Sequence, residues 1–234
     1  MIPSPAPIAL VTGASRGLGR AVALALAKRG VHPVLLARST AGLEAADDDI
    51  RQRGGTATLL PLDLTQGKEV DQIGPSLYHR FGRLDFLIHC AGTLGRLTPL
   101  SHLPDAEWQA VFGVNVEAAW RLIRTTEPLL RRAPRPVAVF VMDGMVQTPR
   151  AYWAAYGASK AALLHLTQAW QAEGNLPQLE LILFEPGPMA TALRKAAMPG
   201  EDQRLLPSPE AAAERLCQRL EPALATLLDR TSGL

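Results

Sequence analysis

The order of apolar and helical segments along the chain limits its fold more than any other feature. Six short apolar runs alternate with six longer segments of helical periodicity. Strands and helices that alternate at these lengths predict a parallel sheet covered on both faces. The predicted strands are Ile8–Thr12, Pro33–Ala37, Ala57–Leu62, Leu84–His89, Val137–Met142 and Leu179–Phe184. The predicted helices are Gly17–Arg29, Ala41–Arg53, Glu69–Phe81, Asp105–Arg132, Ala154–Glu173 and Pro209–Leu228.

Length and composition fit one α/β domain over residues 1–234, with 47% hydrophobic residues for its core. The formal net charge is only +2 and no block of basic residues stands out, which argues against nucleic-acid binding. Cys90 and Cys217 are far apart and show no metal-ligand spacing. The segment Met1–Pro7 lacks a basic region, and no apolar run is long enough for a bilayer. We therefore expect a reduced cytoplasmic protein without a metal site or membrane contact.

A glycine-rich turn joins the first predicted strand to the first predicted helix. Gly13, Gly17 and Gly19 give the spacing Gly-x-x-x-Gly-x-Gly. Backbone N–H groups at a helix amino terminus bind the pyrophosphate of a dinucleotide, and close approach requires residues without side chains. The position of the turn between a strand and a helix therefore predicts a dinucleotide site rather than an ordinary connection.

Tyr156 and Lys160 form a second pattern of chemical interest. They lie four residues apart in a predicted helix, so their side chains share one face. A tyrosine hydroxyl has a reference pKa near about 10, and a neighbouring cation lowers this pKa by favouring the phenolate. The pair therefore predicts proton exchange with a substrate oxygen.

The glycine turn, the Tyr156–Lys160 pair and Asn115 between them resemble the short-chain dehydrogenase/reductase superfamily. The resemblance implies a Rossmann-type doubly wound parallel sheet and nicotinamide-dependent oxidoreduction. It implies that Tyr156 and Lys160 are catalytic, and that Asn115 kinks its helix and holds a water of the proton relay. The family closes its sheet with a seventh strand after a Thr-Gly turn. Residues 229–234 look like that turn and then stop, so we expect six strands with the seventh missing, unless the turn resemblance is accidental.

The resemblance also assigns a cofactor site. Its residues are Gly13, Ser15, Arg16, Gly17, Leu18, Gly19, Arg38, Asp63, Leu64, Ala91, Gly92, Tyr156, Lys160, Pro186, Gly187 and Thr191. In relatives the Asp63–Leu64 position contacts adenine, Ala91 and Gly92 allow close approach, and Thr191 bonds the nicotinamide carboxamide. His89 and Cys90 replace the family's usual Asn pair, which removes side chains that stabilise the sheet.

The second strand indicates which nicotinamide is bound. An NAD-selective site places Asp or Glu at the end of this strand, to accept hydrogen bonds from the adenosine ribose. Here the strand is followed by Arg38, and no acid is present. Arg16 matches a second basic position of relatives that use NADP. We therefore expect NADP(H), with the two arginines at its 2′-phosphate.

Asp143 departs from the family pattern. The family carries a catalytic Ser thirteen residues before its Tyr, and here that position is Asp143. An ionised Asp cannot donate a hydrogen bond to the substrate oxygen, and it would repel the Tyr156 phenolate. Two other interpretations remain open: a protonated Asp143 that donates, or an Asp143 that points elsewhere while Gly144 faces the pocket.

The predicted function is NADP(H)-dependent interconversion of a carbonyl and an alcohol on an apolar small molecule. A catalytically weakened NADP(H)-binding protein with a sensing or interaction role is the alternative. Apolar pocket residues are expected after strands four, five and six: Leu94, Leu97, Met142, Met145, Val146, Met189 and Met198. By resemblance, a homodimer is expected through Asp105–Arg132 and Ala154–Glu173, which carry apolar residues on several faces.

Overall fold

The computed structural model of the chain describes residues 6–144 and 148–232. Its centre is a parallel sheet of six strands in the order β3-β2-β1-β4-β5-β6. The strands are β1 (Ile8–Thr12), β2 (His32–Ala37), β3 (Thr58–Pro61), β4 (Phe86–His89), β5 (Val137–Val141) and β6 (Glu180–Phe184). The predicted doubly wound α/β fold is therefore confirmed.

Helices cover both faces of this sheet. They are α1 (Gly17–Ala27), α2 (Thr40–Gln52), α3 (Gly67–Asp71), α4 (Ile73–Phe81), α5 (Asp105–Phe112), α6 (Ala118–Leu130), α7 (Ala154–Ala172), α8 (Ala192–Ala197) and α9 (Pro209–Ser232). Short 3-10 turns lie at Leu100–His102 and Gln203–Leu205.

Successive residues of the strands contribute to two separate apolar cores. In β1, Ala9 and Val11 pack into the core beneath α1 and α9, whereas Ile8 and Leu10 pack into the core beneath α4 and α6. All five β1 residues are fully buried. Burial on both faces explains why these strands read as continuous apolar runs instead of alternating ones.

Two predicted helices are interrupted. The predicted helix Glu69–Phe81 is two helices, α3 and α4, which separate at Gln72. Pro75 lies in the first turn of α4, where a missing N–H costs no helical hydrogen bond. The predicted helix Asp105–Arg132 contains a π-helical segment, Gly113–Glu117, between α5 and α6. Asn115 is buried within that segment, which agrees with the predicted kink.

The predicted end of the last helix was wrong in detail. The last helix does not end at Leu228, because α9 continues to Ser232. Pro222 lies inside this helix without ending it. The predicted turn is therefore not found in residues 229–232, and Gly233 and Leu234 lie outside the described residues.

The strand order places the functional site. The chain direction across the sheet reverses between β1 and β4, which are neighbours. In doubly wound sheets ligands bind beyond the carboxyl ends of the strands at this reversal. The glycine turn follows β1, and residues His89–Gly92 follow β4, so both border this crevice.

Candidate active site

The glycine turn has the shape of a phosphate cradle. Gly13 and Gly17 have positive φ angles of 68° and 55°, which side chains rarely tolerate. A Cβ on Gly19 would lie 2.4 Å from the Gly13 carbonyl oxygen, so the turn closes only with glycine there. Within the turn, Leu18 is buried in the core while Arg16 is exposed. The turn thus presents bare backbone at the amino terminus of α1, which fits a dinucleotide pyrophosphate.

The two arginines predicted to bind a 2′-phosphate both lie at the surface. The Arg38 side chain is 71% exposed, and its Nη1 lies 3.8 Å from Asp63 Oδ2. Asp63 Oδ1 also accepts hydrogen bonds from the Thr65 N–H and hydroxyl, each 2.9 Å long. Leu64 is buried in the core beneath α4 and α6. Asp63 therefore lies beside Arg38, beyond the carboxyl ends of β3 and β2.

Thr12 and His89 tie β1 to β4 below the crevice. Thr12 Oγ1 lies 3.0 Å from His89 Nδ1 and accepts a 3.1 Å hydrogen bond from the Ala91 N–H. This link takes the place of the sheet contact expected from the missing Asn. His89 Nε2 is buried without a hydrogen-bond partner among the described residues. Burial, with a further effect of the Lys160 charge, lowers the pKa of His89 to about 3. His89 is therefore neutral in the folded protein.

Asn115 joins three elements around the crevice. Its Oδ1 accepts a 2.8 Å hydrogen bond from the Thr93 N–H. Its Nδ2 donates to the Thr93 carbonyl and to Ser159 Oγ, both at 2.9 Å. Ser159 Oγ donates in turn to the Tyr156 carbonyl at 2.7 Å. The Asn115 side chain thus fixes the loop after β4 against α7, the helix that carries Tyr156.

Tyr156 and Asp143 are in direct contact. The Tyr156 hydroxyl donates a 3.0 Å hydrogen bond to Asp143 Oδ2. Tyr156 is buried at the start of α7, and Asp143 is half-buried just after β5. Burial, the Asp143 charge and the hydrogen bond together raise the pKa of Tyr156. Asp143 thus points at the tyrosine hydroxyl, and the interpretation that it faces elsewhere does not fit this geometry.

Lys160 lies one turn further along α7 and is also buried. Its Nζ donates a 2.9 Å hydrogen bond to the Val141 carbonyl at the end of β5. It lies 5.9 Å from the centre of the Tyr156 ring. Burial lowers the pKa of Lys160 to about 8, against the opposing effects of Asp143 and Cys90. A Cβ on Gly92 would lie 3.7 Å from Nζ, so Lys160 borders the loop after β4.

A small apolar cluster surrounds Tyr156, and it agrees in part with the predicted pocket. Leu94, Tyr156 and Ala197 form it, with Leu97, Trp153, Leu193 and Met198 packed against them. Met142 and Met189 belong instead to the two main cores, so their assignment to the pocket was wrong. Met145 and Val146 lie outside the described residues.

Sequence reasoning missed Trp153, whose ring meets the Tyr156 ring edge-on with centres 6.0 Å apart. Its position three residues before Tyr156, on the same helical face, was the available signal. It also missed Glu185, at the end of β6: Glu185 Oε1 lies 2.7 Å from where a Cβ on Gly144 would be. Asp143, Tyr156 and Lys160 form one side of the crevice, here called the rim. Trp153 and Glu185 add an aromatic ring and a second carboxylate beside it.

The segment from Pro186 to Thr191 closes the crevice opposite the glycine turn. Gly187 has a positive φ of 75°. Thr191 Cγ2 lies 3.5 Å from where a Cβ on Gly17 would be, so this segment and the cradle share one border. The Thr191 hydroxyl accepts a 3.2 Å hydrogen bond from the Arg194 N–H and caps α8. Arg194 binds Glu201 through two hydrogen bonds of 2.6 and 2.7 Å.

Two other kinds of site were sought in the described parts of the chain. No group of three or more His, Cys, Asp or Glu side chains there is arranged to hold a metal ion. No helix in those parts combines the length and apolarity needed to cross a membrane.

This geometry can be compared with that of known proteins. The family model for short chain dehydrogenases matches residues 7–202. The chain belongs to the short-chain dehydrogenase family. It is 33% identical over 205 residues to the protein named "Uncharacterized oxidoreductase YciK" of Escherichia coli (strain K12), a match that covers 86% of this chain and 81% of that one.

Solved structures of family members have the same fold. A short chain dehydrogenase from Shigella flexneri 2a, solved in complex with NADP, has a TM-score of 0.83 and 33% identity over 87% of this chain and 86% of its own. Another from Escherichia coli CFT073, solved in complex with NADPH, has a TM-score of 0.84 and 31% identity, with coverage of 94% and 90%. The two likenesses therefore cover most of this chain.

Proposed function

We propose that this protein is an NADP(H)-dependent oxidoreductase that interconverts a carbonyl and an alcohol on an apolar small molecule. The observation that carries the proposal is the placement of Tyr156 and Lys160, which lie at the carboxyl end of the sheet beside the glycine cradle. A proton donor and a buried cation thus face the crevice that fits the cofactor. The Leu94–Tyr156–Ala197 cluster favours an apolar substrate.

Each residue has a role that follows from its contacts. The Tyr156 hydroxyl would bind the substrate oxygen and exchange a proton with it, after turning from Asp143. Lys160 would offset the phenolate charge and bind the nicotinamide ribose, for which its Nζ must leave the Val141 carbonyl. Asn115 would hold α7 in register and, with its π-helical segment, carry the water of the proton relay. A bound nicotinamide would supply the hydride.

NADP(H) is the cofactor that the residues and relatives favour. Arg16 and Arg38 are both exposed at the adenosine end, and no acid ends β2. Bare backbone at Gly13, Gly17 and Gly19 fits the pyrophosphate. Two similar structures from the family were solved with NADP or NADPH. Ala91 and Thr191 would contribute to the same cofactor site, because Gly13 approaches Ala91 and Gly17 approaches Thr191.

The alternative, a weakened NADP(H)-binding protein, is less well supported. It depends on Asp143, because a carboxylate at hydrogen-bond distance from Tyr156 opposes negative charge on a substrate oxygen. However, similar proteins are named as an oxidoreductase and as a reductase, and Tyr156, Lys160 and Asn115 are all present in this chain.

The decisive experiment is NADPH oxidation against a broad panel of carbonyl compounds, with Tyr156→Phe as the control. Turnover that the variant loses, while NADPH binding persists, would support the proposal. NADPH binding without turnover of any compound would favour the alternative, and absence of NADPH binding would contradict both.

We also propose that residues 1–234 act as one dinucleotide-binding unit and pair as a homodimer through α5, α6 and α7. Trp108 and Trp120 are 39% and 42% exposed, and they line a groove of about 450 Å³ with Phe112 and Leu166. Large exposed apolar patches mark contact sites between proteins. Small-angle scattering at micromolar concentration should give a dimer mass; a monomer mass would refute this pairing.

A further inference from the structure

Tyr152 has a backbone conformation that residues with side chains rarely adopt. Its φ angle is 74°, and it is the one residue other than glycine with a positive φ in the described parts of the chain. It is the third residue of a turn over residues 150–153, which a 3.2 Å hydrogen bond from the Trp153 N–H to the Arg150 carbonyl closes. A positive φ at this place in a turn normally selects glycine. The chain therefore carries a large aromatic residue where glycine would be less strained.

The surrounding structure does not require a tyrosine ring at this position. Tyr152 is 59% exposed, so burial of its ring in a core does not account for the strain. Its carbonyl accepts a 3.2 Å hydrogen bond from the Thr98 N–H in the loop after β4, a contact that glycine would make equally well. Strained residues that a protein retains cluster at ligand-binding sites. The exposed ring is thus the part of Tyr152 that glycine could not replace.

Tyr152 lies at the mouth of the apolar cluster around Tyr156. Trp153 follows it directly in the chain, and the Trp153 ring meets the Tyr156 ring edge-on with centres 6.0 Å apart. Leu97, next to Thr98, packs against the same cluster. The Tyr152 backbone is therefore tied to two walls of this cluster, while its ring is exposed to solvent.

Exposed apolar side chains continue around the same mouth. The large apolar side chains exposed in the described residues are Tyr78, Leu100, Trp108, Trp120, Tyr152 and Leu205. Trp108 and Trp120 line the groove of the proposed dimer. Leu100, Tyr152 and Leu205 lie in the segments that follow β4, β5 and β6, which are neighbours in the sheet and whose following segments also form the Tyr156 cluster. A single exposed apolar side chain is ordinary, but these three extend the apolar surface of one pocket outwards.

We propose that the substrate carries an alkyl arm of several carbons beyond its carbonyl group, and that Tyr152 binds this arm outside the pocket. The proposal rests on the carbonyl–alcohol function proposed above and narrows its substrate class. With the substrate oxygen at Tyr156, the arm passes the apolar cluster and reaches the Tyr152 ring. A tyrosine ring supplies a large apolar contact area and has few rotatable bonds to immobilise. Tyr152 is thus a specificity-determining residue that takes no part in the chemistry.

Stability and binding should respond in opposite directions to Tyr152→Gly. The substitution relieves the positive φ, an effect partly offset by the greater freedom of glycine in the unfolded chain. Scanning calorimetry should therefore give a Tm that is unchanged or up to about 4 °C higher, whereas binding of a long alkyl arm should weaken. A tyrosine that only held the loop in place would lower Tm on removal. A fall in Tm of more than about 2 °C would contradict the proposal.

The first binding test uses unreactive carbonyl compounds, so it does not depend on turnover. N-methylalkanamides from N-methylhexanamide to N-methyldecanamide are titrated calorimetrically into the protein with NADPH in excess. For wild type the dissociation constant should fall about two- to fourfold with each added CH₂ group. In Tyr152→Gly the constant for N-methyldecanamide should rise about tenfold, and that for N-methylhexanamide should stay within about twofold.

Two further variants separate the ring from other effects. Tyr152→Phe keeps the ring and should bind both amides as the wild type does. Tyr78→Ala removes an exposed tyrosine ring from α4 and should leave both constants unchanged. Equal binding of N-methyldecanamide by wild type and Tyr152→Gly, or no binding of it by either, would overturn the proposal.

The second test measures NADPH-dependent reduction of methyl ketones, from methyl butyl ketone to methyl octyl ketone. For wild type kcat/KM should rise with chain length, mostly through KM. In Tyr152→Gly the kcat/KM for methyl octyl ketone should fall about tenfold, with kcat and the reduction of methyl butyl ketone nearly unchanged. If the ketones are reduced at rates independent of chain length, the alkyl-arm proposal fails and the carbonyl function stands. If the amides bind as expected but no ketone is reduced, the carbonyl function fails and the binding site for the arm stands.

Discussion

The cofactor crevice and the catalytic rim of this protein are built in different ways. The crevice is made mostly of backbone: Gly13, Gly17 and Gly19 give it its shape, and side chains are absent where close approach matters. The rim is made of charged side chains in contact, with Asp143 bonded to Tyr156 and Lys160 bonded to the Val141 carbonyl. The crevice thus depends on backbone, whereas the rim depends on contacts between side chains.

Because of this difference, we expect the crevice to determine cofactor binding and the rim to determine the reaction that is catalysed. Backbone N–H groups bind any dinucleotide pyrophosphate in the same way, so the crevice fixes the cofactor class. Charges next to the reacting atoms decide which transition states are stabilised, so the Asp143 side chain can alter the reaction without altering the cofactor. The predictions below therefore expect substitutions at the rim to change turnover and substitutions in the crevice to change affinity.

The largest expected effect is that of Tyr156→Phe. Removing the hydroxyl eliminates the proposed proton donor, and general acid catalysis typically contributes about 10²–10⁴-fold. Turnover of the best carbonyl substrate should fall by that factor. NADPH affinity, measured by fluorescence titration, should stay within about twofold because the cradle is untouched. A Tyr156→Phe variant that keeps wild-type turnover would contradict the assignment of Tyr156 as the proton donor.

Asp143→Ser is expected to produce the next largest change, in the opposite direction. The substitution supplies a hydroxyl donor and removes a charge that raises the Tyr156 pKa. Loss of one oxyanion donor typically costs about 10²–10³-fold, so carbonyl reduction at neutral pH should rise by at least about tenfold. Single-turnover NADPH oxidation with one shared ketone measures this. A Ser variant no faster than wild type would mean that Asp143 is itself a working catalytic group.

The sheet and the crevice could be predicted from the sequence because each depends on local patterns. Continuous apolar runs indicate strands buried on both faces, and glycine spacing indicates a turn without side chains. The rim was predictable only as a set of residues, because its contacts form between chain segments distant in sequence. Glu185 and Trp153 belong to no sequence motif. The proximity of Glu185 to Gly144 depends on where β6 ends. The proximity of Trp153 to Tyr156 depends on where α7 begins. The interrupted helix at Asn115 was indicated only by the resemblance.

Within the crevice, Arg38 and Arg16 should decide cofactor preference. A charge-assisted hydrogen bond contributes about 1.5–3 kcal/mol, so NADPH should bind at least about tenfold more tightly than NADH. Arg38→Ala should reduce this preference while leaving NADH affinity unchanged, and should not affect the kcat of the saturated enzyme. Titration calorimetry with both cofactors measures the preference. Tighter binding of NADH by the wild type would contradict the assignment of both arginines.

The smallest expected effect is a dependence of the carbonyl reduction rate on pH that arises from Lys160 in the rim. Burial lowers the Lys160 pKa to about 8, so the ammonium loses its proton as pH rises through that value. Its neutral form can no longer offset the Tyr156 phenolate, and carbonyl reduction should fall about twofold between about pH 7 and about pH 8, and further above. NADPH affinity should change less over that range, because Arg16 and Arg38 keep their charges. Lys160→Arg retains a positive charge at every pH in the range. Its rate will be lower where the longer side chain disturbs the contact with the Val141 carbonyl, but the shape of its profile should be flat. An identical fall in rate with pH in the wild type and in Lys160→Arg would show that a group other than Lys160 titrates. The pH dependence would then not arise from the contacts of Lys160.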